Sequence, residues 1–232
     1  MESAAMNGPQ VSRAEQAGAA PYSPRLLRVY DRWVLGFNNP RVWRCDTSHL
    51  LEQYDRTVSG KHLDIGPGTG WFLAHARFDV ATPEVDLLDL NPAPLAMAAQ
   101  RLRERGITAR THQGSVLSPL PVDRQFTSVA TSLLMHCVPG GWDTKGVAFQ
   151  HIAAATTDDG VFFGSTVLSS PETFLSRMVG AAFRLQGGFD NAADDEAGLR
   201  RALEAAWGDV QLHRIGQMAL WTAREPRRDP AP

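Results

Sequence analysis

A glycine-rich segment at residues 61–72, KHLDIGPGTGWF, constrains the fold more than any other part of the sequence. Residues 62–65 predict a buried β-strand, and Gly66, Gly68 and Gly70 predict a turn behind it. Such a turn lets the backbone approach a ligand that a Cβ atom would block. A helix that begins after the turn offers free N–H groups and the positive end of its dipole. The segment therefore predicts a nucleotide-like cofactor at the edge of an α/β sheet.

The spacing of the glycines discriminates between cofactors. The dinucleotide fingerprint G-x-G-x-x-G would need its third glycine at position 71, which is Trp71. The segment instead resembles the first motif of class I S-adenosylmethionine-dependent methyltransferases, (V/I/L)-(L/V)-(D/E)-(V/I/L)-G-x-G-x-G, and departs from it only at the first position, His62. The resemblance implies S-adenosylmethionine as the cofactor, bound at Asp64 and the three glycines. A glycine turn without a ligand is the alternative.

Composition limits the partners. The chain has 232 residues, enough for one α/β domain with a modest cap. Its net charge is −2, and no run of Lys or Arg forms a basic stripe. That pattern argues against nucleic acid or an anionic membrane surface as the main partner. We expect a small-molecule acceptor instead.

Other features predict the compartment. There is no signal-peptide pattern and no apolar run of about 18 residues. Cys45 and Cys137 have no metal or redox spacing, so we expect two reduced thiols, no metal and a cytoplasmic protein. Lysine occurs only at 61 and 145 while arginine is abundant, which by association indicates a bacterial, GC-rich genome.

The chain divides into four parts. Residues 1–20 and 225–232 are expected to be disordered tails, because they hold few large apolar groups. Residues 21–58 predict a helical lid: an amphipathic helix at 25–35 and a second helix capped by Thr47 or Ser48 and ending towards 58. Residues 59–224 are expected to form the methyltransferase domain.

Apolar runs predict seven strands in that domain, at 62–65, 84–89, 107–112, 125–131, 161–167, 210–215 and 218–222. Residues 158–160 predict a turn before the fifth strand. The fold class is therefore α/β: a Rossmann-like, seven-stranded, mostly parallel sheet whose last strand is antiparallel, with helices on both faces and the N-terminal helical lid. This is the order that the resemblance implies.

Asp89 ends the second predicted strand. An acid there can accept hydrogen bonds from both ribose hydroxyls of a nucleoside. The alternative is a helix cap, a role that Asn91 or Pro92 could fill. The stretch around Asp89 resembles the methyltransferase second motif, and we also assign Leu90 to the cofactor site.

Ser115 departs from the family pattern. Many members carry an Asp after the glycine at this point, where it accepts a hydrogen bond from the adenine amino group. The hydroxyl of Ser115 can still accept that bond, without charge assistance. Its neighbour Val116, and Ser132 at the end of the fourth strand, complete the predicted cofactor site.

The segment L-M-H-C-V-P-G at 134–140 resembles an L-H-C-x-P-G segment, with Met135 between the leucine and the histidine. Together with W-R-C at 43–45 and G-S-T at 164–166, it is similar to a group of bacterial and fungal small-molecule methyltransferases over residues 22–224. An Asn/Asp-Pro-Pro-Tyr/Phe motif, typical of enzymes that methylate bases, is absent. His136 is the candidate catalytic base, with a structural histidine as the alternative.

The acceptor site is expected at the lid. An aromatic cluster there lines a substrate pocket or simply packs the lid on the domain. A carboxylate acceptor would need a cationic or amide clamp. The acceptor-site candidates are Tyr30, Trp33, Phe37, Asn38, Asn39, Trp43, Arg44 and His136.

The sequence thus predicts methylation of a small molecule in specialised (secondary) metabolism, at an oxygen of a phenol or carboxylate. Two alternatives remain open at this point. One is a protein of the same fold that binds the cofactor without methyl transfer. The other is an NAD(P)-dependent oxidoreductase.

Overall fold

The structure, a computed structural model, describes residues 12–19, 31–171 and 173–228 of the chain. Its helices are α1 Arg13–Ala19, α2 Asp31–Val42, α3 Thr47–Thr57, α4 Trp71–His75, α5 Pro92–Glu104, α6 Trp142–Lys145, α7 Val147–Ala154, α8 Phe174–Leu185 and α9 Glu196–Ala206. Its strands are β1 Lys61–Ile65, β2 Glu84–Asp89, β3 Ala109–Gln113, β4 Phe126–Ser132, β5 Thr156–Val167, β6 Trp207–Ile215 and β7 Met218–Pro226. A 3₁₀ turn, Met135–Cys137, follows β4.

The seven strands form one sheet in the order β3-β2-β1-β4-β5-β7-β6. Strands β1 to β5 pair in parallel, and β7 runs antiparallel to both β5 and β6. The central strands are buried along most of their length because helices cover both faces of the sheet. The predicted fold class is confirmed, and the order reverses between β1 and β4, where open α/β sheets bind ligands.

The start of β5 differs from the sequence prediction. Residues 158–160 were expected to form a turn, but β5 begins at Thr156 and runs through them. Between the pairs Phe126–Thr156 and Ser128–Val161, β4 advances by two residues and β5 by five. The extra residues form a bulge, which keeps the strand continuous although it contains a turn sequence.

Both predicted tails contain regular structure. Helix α1 lies within 1–20 because Ser12 and Glu15 form a reciprocal capping pair: the Ser12 N–H donates to Glu15 Oε2 at 2.9 Å, and the Glu15 N–H donates to Ser12 Oγ at 3.2 Å. At the other end, β7 continues to Pro226 through its pairing with β6. Most of the predicted helix at 25–35, including Tyr30, lies outside the described residues.

Helix α2 is a wide helix of π type that contains Pro40. The Trp43 N–H donates to the Asn38 carbonyl at 2.9 Å, the five-residue spacing of such a helix. Asp31 anchors its start to the glycine turn, since the Thr69 hydroxyl donates to Asp31 Oδ1 at 2.5 Å and Arg101 forms an ion pair with Asp31 at 2.7 Å.

Helix α3 packs directly on the sheet. The buried Gln53 side chain donates to the carbonyls of Gly164 and Trp221, at 3.3 and 2.8 Å. Tyr54, one residue further, is also buried and stacks on Phe72. Within the described residues, no helix is long and apolar enough to span a membrane.

Candidate active site

An open cleft lies beyond the carboxyl ends of β1, β2, β3 and β4. Every residue that the sequence predicts to bind the cofactor lines it. These residues are Asp64, Gly66, Gly68, Gly70, Asp89, Leu90, Ser115, Val116 and Ser132. The lining also includes Glu15 and Tyr54. The sequence did not predict either residue to be part of the site.

The glycine turn has the left-handed backbone that its sequence predicts. Gly66, Gly68 and Gly70 have φ of 70°, 57° and 72°. A Cβ atom at Gly70 would lie 2.8 Å from Ala98 Cα, so the turn is in close contact with α5. A Cβ atom at Gly68 would meet nothing within 4 Å. The middle glycine therefore faces open space, where a side chain would occupy room that a ligand needs.

Asp64 presents an unsatisfied carboxylate oxygen to the cleft. Its Oδ2 accepts a hydrogen bond from the Tyr54 hydroxyl at 2.9 Å. Its Oδ1 is buried and has no hydrogen-bond partner among the described residues. Burial and the Asp64 charge raise the pKa of Tyr54 well above its usual value, so the phenol stays a donor. A buried acceptor without a donor fits the ammonium group of an amino-acid ligand.

Asp89 lies where β2 ends, with Oδ1 accepting from the Asn91 N–H at 2.8 Å. Asn91 itself caps α5, because its side chain accepts from the Ala93 N–H at 2.9 Å. The helix thus has its own cap, and Asp89 is not needed for that purpose. Burial raises the pKa of Asp89 to about 6, although the N–H groups of Asn91 and Leu90 partly oppose this shift.

Helix α1 reaches the cleft beside β3. The Ser115 hydroxyl donates to Glu15 Oε1 and accepts from the Leu117 N–H at 3.0 Å. Burial raises the pKa of Glu15, but hydrogen bonds from Ser115 and Ser12 outweigh it and leave the pKa below its ordinary value. A carboxylate therefore lies beside the position that lacks the usual acid.

A second, smaller pocket adjoins the cleft, and Leu133 lines both. We refer to it as the second cavity. Four acceptor-site candidates, Asn38, Asn39, Trp43 and His136, are brought together here with apolar side chains. The lining residues are Val34, Asn38, Asn39, Trp43, Leu133, His136, Val167, Phe183 and Phe189. Phe183 and Phe189 carry no sequence signal, since they come from α8 and the loop that follows it.

Three other candidates do not line either cavity. Trp33 and Phe37 are 52% and 46% exposed on α2. Arg44 is exposed and has a φ of 57° in the loop between α2 and α3. The wide π-type turns of α2 explain the difference for Trp33, because 3.6-residue spacing does not identify the inward face of such a helix. Phe37 lies beyond the predicted helix at 25–35, but the structure extends the helix through it to Val42. Tyr30 lies outside the described residues.

Two amides in the second cavity have unused hydrogen-bonding atoms. Asn38 and Asn39 are 2% and 0% exposed. The Nδ2 atom of Asn38 and the Oδ1 atom of Asn39 have no partner among the described residues. Asn39 is fixed through its other end, where Nδ2 donates to Thr47 Oγ1 at 3.0 Å. Buried polar atoms of this kind are ordinarily satisfied, so they indicate a polar ligand.

His136 is buried in the same cavity and packs on Phe189, with ring centroids 4.4 Å apart. Its Nδ1 accepts from the Val167 N–H at 3.3 Å, which assigns the hydrogen of the neutral ring to Nε2. Burial and the nearby Lys145 charge lower the pKa of His136 to about 3. The imidazole is therefore neutral near pH 7.

Lys145 holds the turn that carries His136. Its Nζ donates to the Met135 carbonyl at 3.1 Å and forms a fully buried ion pair with Asp194 at 2.9 Å. The same Nζ donates to the Asp190 carbonyl at 3.0 Å, and the Asp190 N–H donates to the His136 carbonyl at 2.8 Å. The turn and the loop after α8 are thus fixed to each other by one lysine.

Comparisons with known proteins identify the family. A family model described as a methyltransferase domain matches residues 63–160. The demethylluteothin O-methyltransferase of Streptomyces thioluteus is 39% identical over 89% of this chain and 90% of its own length. The chain belongs to the class I S-adenosylmethionine-dependent methyltransferases. The physcion biosynthesis cluster O-methyltransferase of Aspergillus chevalieri is 35% identical over 94% of this chain and 99% of its own length. The solved complex of DhpI with S-adenosylhomocysteine has a TM-score of 0.66, at 17% identity, and covers 94% of this chain and 100% of that one.

This small-molecule methyltransferase thus uses S-adenosylmethionine, as the glycine spacing predicts, and the nicotinamide alternative is wrong. The cleft fits that cofactor, since Asp64 offers a buried acceptor and Gly68 leaves open space. When bound, S-adenosylmethionine supplies an electrophilic methyl group on a sulfonium sulfur. The methyltransferase has to position an acceptor against that group and exclude water, because the donor is already activated.

Proposed function

We propose that this methyltransferase methylates an oxygen atom of a small aromatic natural product, and that a phenol is preferred over a carboxylate. The observation that carries the proposal is the second cavity: three aromatic side chains, Trp43, Phe183 and Phe189, surround two amides and a neutral imidazole. Both relatives named above are O-methyltransferases by name. Aromatic walls with few polar groups suit a planar, mostly apolar ligand.

The choice of a phenol follows from charge. A carboxylate acceptor would bring a negative charge into the cavity and would need a cation to offset its burial. Among the described residues that line the cavity, none is cationic. Lys145 lies nearby, but Asp194 and two carbonyls hold its ammonium group. The neutral donors Asn38 Nδ2 and His136 Nε2 suit a hydroxyl or a carbonyl oxygen instead.

The residues that line the cleft have different proposed contacts with the cofactor. We infer that Asp64 accepts from the cofactor's ammonium group and that Asp89 accepts from the ribose hydroxyls. Gly66, Gly68 and Gly70 give the backbone room to approach. Leu90, Ser115 and Val116 surround the adenine ring, and Ser132 lies where the cleft meets the fourth strand.

For His136 we propose an orienting role rather than a base. With a pKa of about 3, its conjugate acid is far too strong to hold a proton taken from a phenol. Its Nδ1 lone pair is also engaged by the Val167 N–H. The remaining Nε2–H can donate a hydrogen bond to the acceptor oxygen, which would fix the ring for methyl transfer. As the oxygen bonds the methyl group and the methyl–sulfur bond breaks, the phenol proton is lost to water rather than to His136.

We further propose that residues 21–58 act as a lid and 59–224 as the catalytic domain, with α2 supplying Val34, Asn38 and Asn39 to the acceptor cavity. We also infer that the enzyme works in a reducing bacterial cytoplasm, apart from nucleic acid and membranes. The buried thiol of Cys45 supports a reducing compartment. The net charge of −2 argues against nucleic acid and anionic membranes as partners.

Thermal unfolding with S-adenosylmethionine, S-adenosylhomocysteine and NADPH in parallel tests the cofactor site. Ligand at about a hundredfold over its Kd adds about 2.7 kcal/mol, a readily visible shift. Phenols and matched aromatic carboxylic acids are then screened with a methyl-labelled cofactor. We expect label in phenol ethers and none in esters. Label only in esters, or only in amines, would overturn the assignment of the acceptor.

A further inference from the structure

We propose that Glu15, on helix α1, is a cofactor-binding residue: its carboxylate accepts a hydrogen bond from the adenine amino group, the contact that position 115 cannot make with a charge. The inference rests on the proposed placement of the cofactor in the cleft. It assigns a function to a segment that the sequence predicted to be a disordered tail.

The position of Glu15 supports this role. The residue lies 100 positions from Ser115 in the sequence, yet the two side chains are hydrogen-bonded and both line the cleft. Gly114, Ser115 and Leu117 follow β3, next to the β2 end where Asp89 lies. A nucleoside whose ribose contacts Asp89 would extend its base towards this neighbouring strand end.

Glu15 and Ser115 together also have enough hydrogen-bonding capacity to accept a bond from the adenine amino group. A carboxylate has about four acceptor positions, and Glu15 uses one for the Ser115 hydroxyl and one for the Ser12 N–H. Ser115 gives its only hydrogen to Glu15 and accepts from the Leu117 N–H. The pair therefore offers the adenine amino group a charged acceptor, which forms a shorter and stronger hydrogen bond than a hydroxyl does.

The contact couples α1 to the ligand. A helix of seven residues is too short to be stable alone in water, so α1 depends on what it contacts. If Glu15 contacts the adenine, ligand binding must stabilise α1 by the same free energy with which α1 favours the ligand. Helix α1 would then close over the adenine end of the cleft when the cofactor is bound.

Calorimetric titration with S-adenosylhomocysteine tests the contact. We expect Glu15→Gln to raise the Kd at least tenfold, while Gln16→Ala, an exposed position on the same helix, leaves it unchanged. The second ligand is S-inosylhomocysteine, which carries a carbonyl oxygen where adenine carries its amino group. With that ligand the Glu15→Gln variant should bind at least as well as the wild type, because the glutamine amide can donate to the carbonyl.

A charge relocation gives an independent test. In the Glu15→Gln background, Ser115→Asp puts the carboxylate back at the same place and should restore the Kd to within a few-fold of wild type. Ser115→Asp alone places two carboxylates together and should weaken binding. Hydrogen exchange at the amides of residues 13–19 should also slow when S-adenosylhomocysteine is added.

The outcomes of these experiments distinguish failure of the proposed function from failure of the Glu15 inference. If the wild type does not bind S-adenosylhomocysteine, the proposed function fails and this inference fails with it. If the wild type binds and Glu15→Gln binds equally well, the inference alone is overturned. A loss that is equal for both ligands would also overturn it, since the adenine amino group would then play no part.

Discussion

The open cleft at the strand ends, where we place the cofactor, and the second cavity, where we place the acceptor, share Leu133 but are built in different ways. We call them the cofactor cleft and the acceptor cavity. The cleft is formed mainly by backbone turns at the ends of adjacent parallel strands, and the sheet fixes their positions. The acceptor cavity is formed by side chains from α2, the Met135–Cys137 turn, the end of β5 and α8 with its following loop. From this difference we infer that the strand ends select the cofactor, whereas the segments around the sheet select the acceptor.

The two regions also differ in charge. The cleft holds carboxylates at Asp64, Asp89 and Glu15. The acceptor cavity holds two amides and a histidine that stays neutral because burial and Lys145 lower its pKa. Because burial raises the pKa of Asp89 to about 6, pH changes around that value should act on cofactor binding and leave the acceptor cavity unaffected.

The largest effect is expected from Gly70→Ala. This glycine has a φ of 72°, and a Cβ atom would lie 2.8 Å from the α5 backbone. Left-handed strain and overpacking together should lower the free energy of unfolding by about 2–4 kcal/mol. The matched control is Gly106→Ala, which has a φ of 81° but open space around the Cβ position, and should cost only about 1–2 kcal/mol. Equal losses in denaturant unfolding would mean that the close contact with α5 contributes nothing.

Asp89→Asn should weaken S-adenosylhomocysteine binding by about 1.5–3 kcal/mol, the scale of charged hydrogen bonds. The substitution keeps an oxygen for the Asn91 N–H and removes only the charge. Asp79→Asn, an exposed carboxylate, serves as the control. The KM of the acceptor should stay unchanged. Unaltered cofactor affinity would remove Asp89 from the ribose site.

The pH dependence of cofactor affinity should also come from Asp89. Burial raises the Asp89 pKa to about 6. Asp89 is therefore fully ionised above about pH 7 and becomes protonated as the pH falls through 6. If only the carboxylate accepts from the ribose, affinity should fall by about tenfold per pH unit well below 6. The ratio of wild-type to Asp89→Asn affinity isolates this effect from other titrations. A ratio that is constant between pH 5 and 8 would contradict it.

Asn38→Ala should affect only the acceptor cavity. Loss of one neutral hydrogen bond costs about 0.5–1.5 kcal/mol, so we expect the acceptor KM to rise about three- to tenfold. The Kd of S-adenosylhomocysteine should not change, which is the reverse of the result for Asp89→Asn. If both constants change, the two regions are not functionally separate.

The smallest effect is expected from His136→Gln. Glutamine can still accept from the Val167 N–H and donate to an acceptor, so kcat should fall less than about tenfold. Loss of a general base would instead cost roughly 10²–10⁴-fold. Rate measurements across pH on an identified phenol distinguish these results, and a fall of the larger size would restore His136 as the base.

The residues that line the cleft could be predicted from the sequence because the constraints on them are local. Gly66, Gly68 and Gly70 require a particular backbone, and Asp89 ends a strand whose length the apolar run defines. The acceptor cavity depends on contacts between distant segments, so Phe183 and Phe189 could not be identified. Trp33 was assigned inward by a 3.6-residue period that a π-type helix does not follow.

Glu15 shows a different kind of omission. Ser12 and Glu15 have the spacing of a helix-capping pair, but the tail was predicted from the low apolar content of residues 1–20 alone. The contact with Ser115 spans 100 positions and depends on the tertiary structure. The departure at position 115 is the one sequence signal that points to a second acid.

The measurement that tests the division of the site most directly is a crystal structure with S-adenosylhomocysteine and a phenol that the enzyme methylates. We predict the ribose hydroxyls within hydrogen-bond distance of Asp89, the phenol among Asn38, His136 and Phe189, and the sulfur at the Leu133 side of the cleft. Cofactor product bound away from the glycine turn, or a phenol outside the second cavity, would contradict the account.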